Sequence, residues 1–225
     1  MESQSEMTKP LIILGAGGHA KVVLSVALEL GIDVKCLTDN DKKKHGEKVL
    51  GIEVLGDDRI LRAFGPDKFE LAMGLGVGSD NTQLTQQLLR RFKVFTKLFS
   101  HGYKFPPLIH PNAGVAQGCI IGNGVQLFSG SVVQPNCKIG DLTILNTKAS
   151  IDHDSVIGKA CHIAPGVTCG GSVDVGSNTH IGMGATILPN IKIGTNSIIA
   201  AASLVNKSVK IGEKVCGTPA RVVME

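Results

Sequence analysis

The chain has 225 residues, 43% hydrophobic but only 4% aromatic, with 28 glycines, one tyrosine and no tryptophan. That length suits one large domain or two modest ones, and the core must be built from small branched side chains rather than rings. A net charge of +4, with acids and bases interspersed, argues against nucleic-acid binding and is compatible with a small polyanionic ligand.

The first apolar run, Leu11–Leu14, is a short buried strand, far too short for a secretory signal or a membrane span. Cys36, Cys119, Cys137, Cys161, Cys169 and Cys216 form no CxxC pair and no metal-like cluster, which reads as reduced, packed thiols in a cytoplasmic protein. Gly15-Ala16-Gly17-Gly18-His19 is a turn, and apolar residues at 20, 23, 27 and 30 then have helical spacing. A second strand covers residues 34–37. Residues 57–64 read as a helix, 70–75 as a strand, 80–92 as a helix and 94–99 as a strand. This βαβαβ order implies a small parallel sheet with right-handed crossovers. Pro106-Pro107 breaks the pattern, so the expected domains are 1–106 and 107–225.

The second half has a different period. Stepping by six from Ile109 to Ile211 gives eighteen positions, and only Cys169 is not Ile, Val or Leu. The following residue is often Gly, as at 122, 140, 158, 170, 176, 182, 194 and 212, and the residue two before is usually small or β-branched. An unbroken hexapeptide repeat is the signature of a parallel β-helix, with the large aliphatic pointing inward. Gly is expected to supply the unusual backbone angles of the corners. Three hexapeptides close one triangular coil. Six coils at about 4.8 Å each make a prism nearly 30 Å tall, with flat faces that invite oligomerisation.

The candidate chemistry sits in a few places. Gly15-x-Gly17-x-x-Ala20 follows a strand and opens a helix, and Asp39 ends the next strand. That pattern places a phosphate at the helix N-terminus and a carboxylate near a ribose or base. Only one mononucleotide half fits in about 100 residues, so an oxidoreductase with a full dinucleotide site is disfavoured. His19 stands where its ring reaches a phosphate or simply faces solvent. His153 is flanked by Asp152 and Asp154, either of which is placed to raise its basicity. His162 and His180 each precede an inward aliphatic and should face a groove or solvent. No set of histidines has metal-ligand spacing, and no metal is expected. The tail Gly217-Thr-Pro-Ala-Arg221 is either a capping turn or a cation set near phosphates.

A short α/β domain carrying Gly-Ala-Gly-Gly-His, a hexapeptide β-helix with Ile151-Asp-His-Asp154, and a final Gly-x-Pro-Ala-Arg together resemble the bacterial sugar acetyltransferases. That group includes UDP-4-amino-sugar N-acetyltransferases and sialic acid O-acetyltransferases. The resemblance spans about residues 10 to 223. It implies a Rossmann-like nucleotide-sugar-binding domain followed by a left-handed parallel β-helix, assembled as a homotrimer with sites between neighbouring prisms. It implies acetyl-CoA as co-substrate and a nucleotide-linked amino sugar as acceptor, with a free sialic acid as the alternative. By the same resemblance His153 is the base and Asp154 its partner, and Asn146 lies near the acceptor amine. His162, Gly171, Met183 and Ala201 would meet acetyl-CoA, and Gly17, Gly18, His19, Asp39, Asn40 and Gly76 would hold the nucleotide-sugar. The Gly171 N–H is the candidate donor to the tetrahedral oxyanion.

Overall fold

Four consecutive aliphatics leave no polar side, so β1 (Leu11–Leu14) runs through the middle of the first sheet with every residue at most 1% exposed. The structure, a computed structural model, describes residues 9–63, 65–78 and 83–223. β1 pairs in parallel with β2 (Val34–Thr38) and β5 (Glu70–Met73). β4 (Ile52–Gly56) lies parallel to β2, and β3 (Lys48–Val49) adds an antiparallel edge, giving the order β3-β4-β2-β1-β5. The β3–β4 hairpin, which the residue pattern does not announce, turns on Leu50 and Gly51 at φ 47° and 88°. Helix α1 (Gly18–Glu29) follows β1.

Two expected elements are corrected. Residues 57–64 form only a 3-10 turn, Asp58–Arg62, opened by the Asp57 carboxylate accepting from the Arg59 N–H; residue 64 lies outside the described residues. The expected strand at 94–99 is helix: α2 runs unbroken from Leu84 to Ser100. Nothing between 92 and 94 breaks a helix, and Leu84, Leu88, Arg91 and Phe95 fall on one buried stripe at spacings of four, three and four. Residues 80–82 of the expected second helix lie outside the described residues.

The second half is a left-handed parallel β-helix of two-residue strands, paired at intervals of eighteen residues. It has three faces. The first begins at Leu108–Ile109 and continues through Gln126, Ile144, His162, His180 and Ile198. The second begins at Gly114–Val115 and the third at Ile120–Ile121. The inward aliphatics from Leu127 to Val205 are at most 2% exposed, and each such burial stabilises by roughly 1.5–3 kcal/mol. The small residues two before them are buried too, and their hydroxyls tie adjacent coils together: Thr143 Oγ1 donates to Gly158 O and Ser197 Oγ to Lys210 O.

The glycines act differently from expectation. Those after the inward aliphatics through Gly194 do not adopt positive φ. They are small because the next coil lies on them: a Cβ at Gly176 would sit 2.4 Å from Thr195 N, and one at Gly158 2.6 Å from Ser177 N. Positive φ falls instead two residues later in the corners from Gly118 to Ala202, on residues as varied as Asn136, Leu142, Asp154 and Ala202. The repeat also slips once, at its end. Val209 bridges to Ile193 and takes the inward place, Val215 pairs with Ile199, and Ile211 is 75% exposed. The tail closes the top: Arg221–Val222 pairs back on Lys214–Cys216, and Ala220 packs on the prism core.

The α/β domain sits on the first prism face, here the domain face. Leu108, Phe128 and Ile144 of the prism join Ala16, Ala20, Val23 and Leu24 in one core, while Phe95 of α2 packs with Phe105 and Leu142 in another.

Candidate active site

His153 lies in a corner between the second and third faces rather than on a wall. The corner settles which aspartate is its partner. Asp154, in the left-handed region at φ 58°, turns its carboxylate back so that Oδ2 is 2.8 Å from His153 Nδ1. Asp152 instead accepts the His153 backbone N–H at 2.8 Å. Asn136, one coil below, donates to the other Asp154 oxygen at 3.3 Å. The bond to Asp154 raises the His153 pKa above the ordinary imidazole value and holds Asp154 below the usual carboxylate range. With Nδ1–H committed to Asp154, Nε2 carries the free lone pair of a neutral ring. One coil above, Gly171 lies against that ring: a Cβ there would be 2.6 Å from both Cε1 and Nε2. The Gly171 N–H has no acceptor among the described residues.

Asn146, Met183 and Ala201 lie on a different edge, between the domain face and the second face. Met183 is 60% exposed and Ala201 stands one coil above it. Asn146 Oδ1 accepts from the Thr147 N–H at 2.8 Å, and its Nδ2 points at His162 Nε2 at 3.4 Å. His162 and His180 do not face an open groove as the sequence suggested. They line the seam under the α/β domain, rings 5.0 Å apart, each with a buried Nδ1 lacking a partner among the described residues. Burial first, then His180 and Arg91, hold His162 well below the ordinary imidazole value, and burial takes His180 down to about 4. Of the expected residues, one chain therefore brings only Asp154 and Gly171 to His153. A whole prism face separates that group from Asn146, Met183 and Ala201.

The N-terminal loop is built as a cradle. Gly17 caps α1 without a side-chain bond, and a Cβ on Gly17 or Gly18 would meet nothing within 4 Å, so the first-turn N–H groups open onto free space. The Asp39 carboxylate is partly spent on bracing this loop: Oδ2 accepts from Ala16 N–H at 2.9 Å and pairs with Lys44 at 2.8 Å. Burial alone would raise its pKa, but Lys44 and the N–H groups of Asp41 and Ala16 hold it below the usual range. Asn40 is exposed beside it, and Gly76 packs on His19, where a Cβ would approach His19 Cβ to 2.8 Å. The Nε2 of His19 is turned inward, not toward the cradle: it meets Gln126 Oε1 at 2.9 Å, while the ring stands edge-on to Phe128. Burial and Arg91 lower its pKa to about 4.

Gln126 and Arg91 carry no motif and are missed by sequence reasoning. Gln126 links His19 to the Met73 carbonyl, to which its Nε2 donates at 2.8 Å, and so joins prism, loop and sheet. Among the described residues no group of three His, Cys, Asp or Glu is placed to hold a metal ion, and no helix is long and apolar enough to cross a membrane.

Comparison with known proteins matches residues 10–90 to the PglD N-terminal domain and residues 172–207 to the bacterial transferase hexapeptide (six repeats) model. Among solved structures, the chain is similar to a histidine-to-asparagine variant of perosamine N-acetyltransferase from Caulobacter crescentus, solved with CoA and GDP-perosamine. The identity is 32% over 97% of this chain and 98% of that one, with a TM-score of 0.87. It is also similar to the acetyltransferase domain of PglB from Neisseria gonorrhoeae FA1090, solved with acetyl coenzyme A, at 30% identity over 96% and 99% of the two chains and a TM-score of 0.86.

Proposed function

This chain belongs to the hexapeptide-repeat sugar N-acetyltransferases, and we propose that it moves the acetyl group of acetyl-CoA onto the amine of a nucleotide-linked sugar, a UDP-linked 4-amino-4,6-dideoxy sugar being the first candidate. The observation that carries the reading is the His153–Asp154 pair set against Gly171.

His153 Nε2 takes a proton from the sugar nitrogen as it attacks the thioester carbonyl carbon. The C–N bond forms, the carbonyl electrons move to oxygen, and the Gly171 N–H donates to that oxyanion. Collapse breaks the C–S bond, and the proton held by His153 goes to the departing thiolate. The acetyl-CoA contacts fall on His162, Gly171, Met183 and Ala201, through backbone groups for the last three. The nucleotide-sugar lies in the cradle of Gly17, Gly18 and His19 with Asp39, Asn40 and Gly76, His19 contributing its backbone and the wall of the cradle. Asn146 lies beside the amine. Binding both substrates before attack supplies much of the acceleration.

The site is shared between chains of a homotrimer. Two features support this. The second face, which separates His153 from Asn146, presents only Gly114, Val132, Ser150, Thr168, Thr186 and Leu204 outward, whereas the third carries Lys138, Asp174 and Lys192. Packing the uncharged face on a neighbour brings the His153 edge of one chain to the Asn146 edge of the next, and three-fold closure repeats the contact. Co-expression of His153→Ala with Asn146→Ala chains should therefore restore activity that neither variant has alone. With random assembly about one quarter of sites regain both residues. Activity no higher than that of the two parents would place the site within one chain.

The acceptor is tested by thiol release from acetyl-CoA across UDP-, dTDP- and GDP-linked amino sugars and free sialic acid. Turnover confined to a nucleotide-linked amino sugar is the expected result, and the base is read from the panel. Turnover with free sialic acid alone would make the protein an O-acetyltransferase, and silence would leave the prism as a scaffold.

A further inference from the structure

Gln126, on the domain face of the prism, is 1% exposed and commits its whole amide to the α/β domain. Its Nε2 donates to the Met73 carbonyl at the end of β5 at 2.8 Å, and its Oε1 lies 2.9 Å from His19 Nε2. These two contacts place every proton. A carbonyl oxygen only accepts, so the amide nitrogen is the atom facing Met73 and the amide oxygen the atom facing His19. That oxygen also only accepts, so His19 Nε2 carries the proton. Burial, followed by the charge of Arg91, keeps the ring from taking a second one near neutral pH. His19 Nδ1 is therefore a bare lone pair.

Nδ1 has no hydrogen-bond partner among the described residues, and it is not sealed in as the Nδ1 atoms of His162 and His180 are. Its place is set by the helix. His19 is the second residue of α1, where the Cα–Cβ bonds lean toward the N-terminus and so toward the glycine cradle. Gly76 closes one side of the residue, and Gln126 and Phe128 of the prism meet its ring. His19 thus stands at the boundary between the loop that receives a diphosphate and the prism that receives the amine, a boundary the hexose has to cross. A phosphate oxygen is an acceptor and meets a lone pair with repulsion, whereas a hexose hydroxyl or N–H is a donor and fits it. We propose that His19 is a specificity residue: its Nδ1 accepts a hydrogen bond from a donor on the hexose ring, and Gln126 holds it in the tautomer that leaves Nδ1 free. This rests on the reading of the cradle as a nucleotide-sugar site. The phosphates are left to the first-turn N–H groups of α1.

The test reads nucleotide and sugar separately on the full-length protein. His19→Gln keeps a nitrogen donor for Gln126 but has nothing at the place of Nδ1. Its affinity for the nucleoside diphosphate (UDP, dTDP or GDP, as the acceptor panel selects) should be unchanged. Its affinity for the matching nucleotide-linked amino sugar, and kcat/KM with it, should fall by about 10- to 100-fold, the usual cost of leaving a buried hydroxyl unpaired. A ring that serves only to carry Gln126 would leave both affinities intact, and a ring that holds phosphate would lose both together; either result overturns the proposal. The ¹⁵N spectrum of histidine-labelled wild-type protein gives an independent reading. The His19 ring should be protonated at Nε2 alone near neutral pH, free and bound, and its Nδ1 signal should move far more with the nucleotide sugar than with the nucleoside diphosphate. A proton on Nδ1 in the complex overturns the proposal, and these spectra decide even if His19→Gln does not fold. Silence on every nucleotide-linked amino sugar in the thiol-release panel would sink the acceptor reading and this proposal with it, yet leave the Nε2–H tautomer of the free protein standing.

Discussion

His153→Ala should lower kcat by about 10²–10⁴, the usual cost of removing a general base, with little change in acetyl-CoA affinity or thermal stability. The ring is exposed and its hydrogen bond, to Asp154, is local, so the coils above and below do not depend on it. Residual turnover would come from holding the two substrates together and from the Gly171 N–H. The pH dependence follows from the same bond. A base works unprotonated, so the rate should fall as pH drops through the His153 pKa, which Asp154 raises above the ordinary imidazole value. Asp154→Asn removes that stabilisation of the protonated ring, so its acid limb should move to lower pH while the plateau falls. Steady-state kinetics from pH 5 to 9 on the three proteins read both effects. Near-normal turnover in His153→Ala would remove His153 from the mechanism.

Gly171→Ala should be almost as damaging to turnover, yet nearly silent in stability. The added Cβ would lie 2.6 Å from His153 Cε1 and Nε2, closer than any real contact. Gly171 is not at positive φ, so alanine meets no backbone strain. The exposed ring is the part free to move, and moving it breaks the 2.8 Å bond to Asp154. A displaced base costs on the order of 10²-fold in kcat, while a change confined to an exposed contact shifts stability by no more than about 0.5 kcal/mol. Gly158→Ala is the control that reverses the pattern, because its Cβ would meet Ser177 backbone at 2.6 Å and nothing there is free to swing away. Full turnover in Gly171→Ala would mean that the ring works from another position.

The prism was legible because its constraint is local and repeated. One inward aliphatic every six residues, from Ile109 to Val205, leaves no other periodic structure. The slip at Val209 was hidden because Ile211 also fits the count, and only the pairing with Ile193 shows which residue turns inward. The corner glycines were recognised by position, but their reason, the backbone of the next coil, lies eighteen residues away. In the α/β domain, a short apolar run after a helix read as a strand at 94–99, although the buried stripe of α2 passes through it.

The candidate site divides in the same way. The chain's own residues determined the hexapeptide prism, the glycine cradle before α1 and a histidine at 153 flanked by two aspartates, because each depends on neighbours in sequence or on an unbroken period. Tertiary structure alone decided that Asp154 rather than Asp152 holds the ring, since that choice follows from the left-handed turn at Asp154. It also decided that Gly171 lies on His153 and that Gln126 takes the Nε2 of His19. These contacts join residues 18 to more than 100 positions apart, brought together by coil stacking and by the packing of one domain on the other, and no local pattern encodes them.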